Sequence, residues 1–289
     1  MRKLTTFASP WKSLSVVCSA AALSISMAGP AEAQAAGDPN PGSITFTGGI
    51  DFPSVYVFRG ILQEADPKLT MWPYGDIGLA LATGDGAVKS VGLNIGVWHS
   101  LHTGSSGSDG PSDRLHYEED FYTTLSLGFG GGLTLGTTFT AYTSANSSFN
   151  TVKELSFKLA KTHMLSPYGI LAFELSDAQA DGGSNKGTYL ELGIGPAFPL
   201  AGGKATLTVP LKLGLSLNDY YELGSNDNKF GFFDIGGLVT VPLSTVESRF
   251  GSWNIHGGVD VLVFGDTTEA FNSGDGSKVV GLIGIGVTY

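Results

Sequence analysis

Residues 278–289 read Lys278-Val-Val-Gly-Leu-Ile-Gly-Ile-Gly-Val-Thr-Tyr289. Counted by twos from the end, Tyr289, Val287, Ile285, Ile283, Gly281 and Val279 share one face. Thr288, Gly286, Gly284, Leu282, Val280 and Lys278 share the other. The first face is apolar and ends on an aromatic ring; the second is mostly small, with a charge at its far end. A period of two is the signature of a strand, whose successive side chains leave opposite sides of the pleat.

The same alternation recurs eleven times upstream, over 43–60, 69–83, 88–101, 116–129, 133–144, 151–161, 167–176, 187–198, 205–217, 230–243 and 253–264. No helical period stands out between them. The connections alternate in length. Gly84-Asp-Gly86, Gly130-Gly-Gly132, 162–166 and 199–204 are short, and 244–252 is somewhat longer. Those on the opposite side, such as 102–115, 177–186, 218–229 and 265–277, are longer and polar. Short turns at one end and long loops at the other are the pattern of a membrane-spanning barrel. An even count brings both termini to the short-turn side.

The faces separate a membrane barrel from a soluble one. Leu207, Val209, Leu211, Leu213, Leu215 and Leu217 oppose Thr206, Thr208, Pro210, Lys212, Gly214 and Ser216. Ile255, Val259, Val261 and Val263 oppose Asn254, His256, Gly258 and Asp260. A soluble exterior carries about 25–35% charged residues, whereas the whole chain carries 15%. The apolar faces therefore suit lipid and the polar faces a wet lumen. Phe129, Phe198 and Tyr289 end strands on the apolar parity, and Tyr56 and Phe58 share that parity near the other end of the first segment. Interfacial aromatics gather at both depths. The expected fold is all-β: a transmembrane, antiparallel, up-and-down barrel of twelve strands over residues 43–289. Its final strand, ending on Tyr289, resembles the C-terminal signal of bacterial outer-membrane barrel proteins. That resemblance implies outer-membrane lipid and the barrel-assembly machinery as partners.

Arg2, Lys3 and Lys12 accompany an apolar run from Leu14 to Met27, and Ala31-Glu32-Ala33 offers small residues where a signal peptidase reads. Residues 1–33 are expected to be a cleaved signal for the general secretory pathway, and 34–42 a short periplasmic segment. The expected destination is the outer membrane of a Gram-negative cell. The apolar run is too short for a spanning helix. Cys18, the only cysteine, leaves with the signal, and Ser15 stands where a lipoprotein signal needs Leu. The net charge of −10 becomes −12 once three bases and Glu32 are removed. So acidic a chain, without a basic patch, repels nucleic acid. Glycine supplies 42 of 289 residues without a Gly-X-Y period, which excludes collagen.

One motif stands apart: Ser54-Val-Tyr-Val-Phe-Arg-Gly-Ile-Leu-Gln63, followed by Asp66-Pro67. Its core, Tyr56-Val57-Phe58-Arg59-Gly60, resembles the opening strand of the TorF-type porin family, also catalogued as the Gcw_chp proteins of unknown function. The likeness is strongest over residues 43–100. Val55 stands where that family usually shows Asp or Asn, and Leu62 where it usually shows Ser. The resemblance implies an outer-membrane barrel and, from the family's label, passive passage of small solutes.

Parity turns Arg59 inward, because an arginine facing lipid near the midplane costs about 2–4 kcal/mol. Asp51, Asp76, Glu118, Asp120, Glu154, Glu174, Glu191, Asp234 and Asp260 are the candidate lumen acids, and Lys158, Lys212 and Lys278 join Arg59 as lumen bases. Nine acids against four bases leave the interior negative. Such groups form internal ion pairs, or a filter that favours cations, or both. The Gly, Ser and Thr rows suggest room for a passage, although Trp98, Tyr122, Phe232 and Phe264 share the lumen parity. The other classes are a closed surface or scaffold barrel and a lipid-modifying barrel enzyme. An enzyme would join a nucleophile and a base at the lipid-facing outer rim. No catalytic residue, cofactor or metal site is expected. His99 and His102, near Asp113 and His116, point to opposite faces. His256 and Asp260 are about 13 Å apart along one strand. Gly274-Asp-Gly-Ser-Lys278 lacks phosphate-loop spacing.

Overall fold

The structure, a computed structural model, describes residues 42–176, 185–224 and 226–289. The expected export signal and residues 34–41 lie outside the described residues. Twelve barrel strands are numbered in chain order: β1 Ile44–Pro53, β2 Thr70–Thr83, β3 Val88–His102, β4 His116–Phe129, β5 Leu133–Thr143 and β6 Val152–Lys161. There follow β7 Tyr168–Glu174, β8 Thr188–Ile194 continued by Ala197–Leu200, and β9 Ala205–Thr208 continued by Leu211–Asn218. The last three are β10 Phe230–Pro242, β11 Ser252–Phe264 and β12 Ser277–Thr288. The interruptions in β8 and β9 contain Pro196 and Pro210, which cannot donate to a ladder. Their carbonyls still accept, from Val209 at 3.0 Å and Gly236 at 3.0 Å.

Each strand runs antiparallel to its neighbours in chain order, and β1 pairs with β12, Ile50 opposite Ile285, to close the barrel. Phe46 and Tyr289 exchange both backbone hydrogen bonds, at 2.6 and 2.8 Å, and fasten the seam at its turn end. Closure matters in lipid, where an open edge would leave unpaired amides without water. Ile77, Ile95, Leu125, Val259 and Ile283 project outward and are exposed, as are Phe198 and Tyr289 at the turn end.

The first segment departs from expectation. It is not one strand over 43–60: β1 stops at Pro53, and the chain folds into the lumen as a hairpin pairing Tyr56–Phe58 with Ile61–Glu64. Ser54 marks the departure, exchanging bonds with Gly281 through its amide at 2.8 Å and its hydroxyl at 3.0 Å. The tip is a two-residue turn with positive φ at Arg59 (46°) and Gly60 (84°), the geometry that matches strand twist in tight hairpins. Tyr56 and Phe58 are therefore not girdle residues; both are buried in the lumen. Phe52 and Phe230 are among the exposed rings toward the loop end.

The hairpin divides the interior. Val55 and Val57 pack with Tyr189, Tyr220, Tyr221, Phe232 and Phe264. Tyr56 and Phe58 pack with Trp72, Trp98, Tyr117 and Tyr142. A helix over Asp266–Phe271 (α1), where no helical period was read, ends beside the tip. There Asn272 donates to the Gly60 carbonyl and accepts from the Leu62 amide, both at 2.8 Å.

Nor do the lumen glycines leave a passage. Gly49 faces Tyr74, Gly96 faces Tyr122, Gly193 faces Tyr168 and Gly214 faces Phe232 as direct cross-strand partners. In each pair the ring lies over the glycine, where a Cβ would collide with it. A cavity of about 20 Å³ lies beside Val55, Val57 and Trp72, room for about one water, and an open cleft of about 250 Å³ lies beside Tyr168, Gly193 and Lys212.

Ile283 lies midway along β12 and is 66% exposed. Ile283→Arg should destabilise the lipid-embedded barrel by about 2–4 kcal/mol, as a basic side chain does near the bilayer midplane. Urea unfolding in liposomes checks this; an unchanged midpoint would contradict a lipid-facing β12.

Candidate functional site

The densest chemistry lies where the hairpin tip meets the wall. The positive φ at Arg59 and Gly60 turns the tip sharply, and the Phe232 ring fills the space beside Gly60. Arg59 forks onto Glu154 of β6, with Nη1 to Oε2 at 2.6 Å and Nη2 to Oε1 at 2.9 Å. Nη1 also donates to the Tyr220 hydroxyl at 2.9 Å. The guanidinium sits 4.2 Å from the centre of the Tyr189 ring. Tyr142 donates to Glu154 at 3.3 Å, and Tyr221 donates to the Arg59 carbonyl at 2.9 Å. Both charged side chains are 2% exposed. Each buried ion would cost several kcal/mol alone, so the pair is stable only as a pair.

Further side-chain anchors hold the hairpin. Tyr56 donates to Glu118 at 2.5 Å, and Tyr117 donates to Gln63 at 3.0 Å. Glu64 accepts from the backbone amide and the hydroxyl of Ser106, each at 2.8 Å. Burial raises the Glu64 carboxyl, but these bonds and one from the Asp66 amide outweigh it and hold the group below the ordinary carboxylate range.

A chain of donors continues from there. Ser106 lies 2.9 Å from His102 Nε2, His102 Nδ1 lies 2.9 Å from Ser100, and Ser100 accepts from the Trp72 indole at 3.1 Å. Because Ser106 gives its proton to Glu64, it accepts from Nε2–H, and Nδ1 accepts from Ser100. No sequence pattern places this Ser–His contact. Ser106 lies in a loop with no alternation to place it. The contact lies inside the barrel rather than at the lipid-facing rim, and the serine proton points to the carboxylate, not to the imidazole.

The structure places all thirteen candidate lumen charges on the inner side, twelve on the wall and Arg59 on the hairpin. It joins Arg59 to Glu154 and Lys212 to Asp234, at 2.6 Å in both cases. Asp260 lies beside the second pair, and Asp120 is buried beside Glu118. The other carboxylates are met by neutral or imidazole donors. Asp51 contacts His256 at 2.9 Å, Asp76 accepts from Asn94 at 2.6 Å, and Glu174 accepts from the Gly187 amide at 2.7 Å. Glu191 accepts from Tyr168 and Tyr189 at 2.8 and 2.7 Å. Lys158 lies 4.7 Å from the Tyr168 ring centre, and Lys278 is half-buried on the inner face of β12. His99 lies 3.2 Å from His116 on the outer side of β3, away from His102. Among the described residues, no group of three or more His, Cys, Asp or Glu side chains is arranged to hold a metal ion.

No protein-family model and no curated protein matches the chain. Solved structures similar to it are membrane barrels. The NanC porin is 9% identical, covering 84% of this chain and 98% of its own, with a TM-score of 0.42. Outer-membrane phospholipase A from Escherichia coli is 11% identical, covering 83% and 92%, with a TM-score of 0.45. An anion-selective porin from Comamonas acidovorans is 10% identical, covering 86% and 99%, with a TM-score of 0.36. Likenesses this distant carry no argument about activity.

Removing one member of a buried pair leaves the other charge unpaired, a loss of about 3–5 kcal/mol. Arg59→Met and Glu154→Met should each show that loss, and the double variant should lose less than either alone. A double-mutant cycle by denaturant unfolding measures it; additive losses would contradict a pair that stands or falls together.

Proposed function

We propose that this protein is an outer-membrane porin in a closed state, a passage for small solutes with a preference for cations that the 54–64 hairpin shuts. The observation that carries this reading is that the closing element is not part of the wall. The hairpin hangs between β1 and β2 at the loop end and is held mainly by side chains. It can withdraw without breaking the ring of strand pairs. The wall it would uncover bears nine carboxylates against three lysines, and low-dielectric walls focus such a field on the passage. Twelve strands lie between barrels filled by side chains and the 16–18 strands of open porins.

An apolar exterior and closed strand pairing support a lipid-embedded barrel. We place it in the outer membrane, with that membrane's lipid and the barrel-assembly machinery as partners, after export through the secretory pathway. The TorF-type resemblance fits this reading, with the family pentapeptide supplying the closing hairpin. We do not assign catalysis, since Ser106 gives its proton to Glu64 rather than to His102. The second reading, a non-conducting surface or scaffold barrel, is favoured by how completely rings fill the lumen.

Planar bilayers distinguish the two. The native protein should show little steady conductance, and a variant with residues 55–64 replaced by a Gly-Ser linker should conduct steadily with a cation-selective reversal potential. Neutralising Asp51, Glu191 and Asp260 together should weaken that preference, most at low salt, where screening is least. A folded linker variant that does not conduct would favour the scaffold; an anion-selective potential would refute the charge argument.

A further inference from the structure

The polar groups around the Arg59 guanidinium come from outside the hairpin that fills the pocket, while the hairpin's own Phe58 ring lies 5.1 Å from the guanidinium carbon. Glu154 comes from β6, Tyr142 from β5, Tyr189 from β8, and Tyr220 from the segment after β9. Glu154 offers both oxygens in the plane of a fork, the geometry that matches a guanidinium and that an ammonium meets at one point only. Tyr220 adds a hydroxyl acceptor at 2.9 Å. The Tyr189 and Tyr220 rings, 4.9 Å apart between centres, supply π faces at 4.2 and 5.4 Å from the guanidinium carbon. Carboxylate fork, hydroxyl and ring faces together recognise a flat, weakly hydrated cation.

We infer that this wall pocket is a guanidinium-binding site, occupied in the closed state by the protein's own Arg59 and open to a guanidinium-bearing solute once the hairpin withdraws. The inference rests on the reading of the hairpin as a removable closure. With Arg59 gone, Glu154 would be left buried and unpaired, so the vacated pocket favours a replacement cation. The fork selects a substituted guanidinium, such as an alkylguanidine or an arginine side chain, over a primary amine. Such a solute competes with Arg59 for Glu154 and so favours the withdrawn hairpin.

Arg59→Ala empties the pocket and removes the latch on Glu154, so the hairpin withdraws more readily while the ring of strand pairs stays closed. Ethylguanidinium, titrated at millimolar concentration into the full-length variant in detergent, should raise its thermal midpoint saturably and bind by calorimetry. Ethylammonium should bind about tenfold more weakly, the scale of a lost hydrogen bond. Adding Glu154→Gln should abolish the rise, and the native protein should show none. The variant with residues 55–64 replaced by a linker presents the same pocket and serves if Arg59→Ala does not fold. Absence of saturable ethylguanidinium binding by a folded variant, or binding undiminished by Glu154→Gln, would overturn the site. Binding by a linker variant that fails to conduct would leave the site standing and refute only the porin reading.

Discussion

The interior of this barrel is organised by one buried ion pair between residues 95 positions apart, Arg59 and Glu154. Neither charge is tolerable there alone, because the idealised cost of taking an ion out of water far exceeds any single neutral hydrogen bond. Their mutual dependence ties the hairpin tip to β6 and fixes how deeply the hairpin enters. That depth decides which rings touch. Val55 and Val57 go to one aromatic group and Tyr56 and Phe58 to the other, so the two halves of the lumen core meet on the hairpin.

A filled polar lumen must also satisfy its remaining carboxylates, and tyrosine does much of this. Tyr56 serves Glu118, Tyr142 serves Glu154, and Tyr168 and Tyr189 serve Glu191. A tyrosine fills volume with its ring and donates at its tip, which suits an interior that is neither wet nor oily. The glycines opposite Tyr74, Tyr122, Tyr168 and Phe232 give those rings a flat seat on the neighbouring strand. High glycine and a crowded lumen are thus two sides of one packing solution.

The twelve strands, the inner and outer faces of the wall and the side of its twelve lumen charges were legible because a period of two in a charge-poor chain leaves little ambiguity. The hairpin was not. Alternation runs from Ile44 through Phe52, and Tyr56 and Phe58 resume the same aromatic parity beyond Ser54, so parity alone does not separate a strand that continues from one that turns inward. The available signals were Pro53 and the Arg59-Gly60 pair between two alternating runs, a place where both residues need positive φ. Partners were hidden for a different reason. Parity says that Arg59 and Glu154 both face inward, but their meeting depends on the hairpin's depth, which no local pattern encodes. The glycine rows misled because a missing side chain was counted as space, whereas the register places a ring there. Helix α1 is too short for a periodic signal, and the Ser106–His102 contact depends on a loop.

The account depends on residues 54–64 lying inside the barrel and being locked there by Glu154. Cysteine labelling tests this directly, because Cys18 is the only native cysteine. With Cys18 replaced by Ser, Val57→Cys probes a hairpin position that is 8% exposed. It should resist a membrane-impermeant maleimide in the folded barrel and become reactive when Glu154→Gln is added. Rapid labelling with Glu154 intact would contradict an internal, latched hairpin.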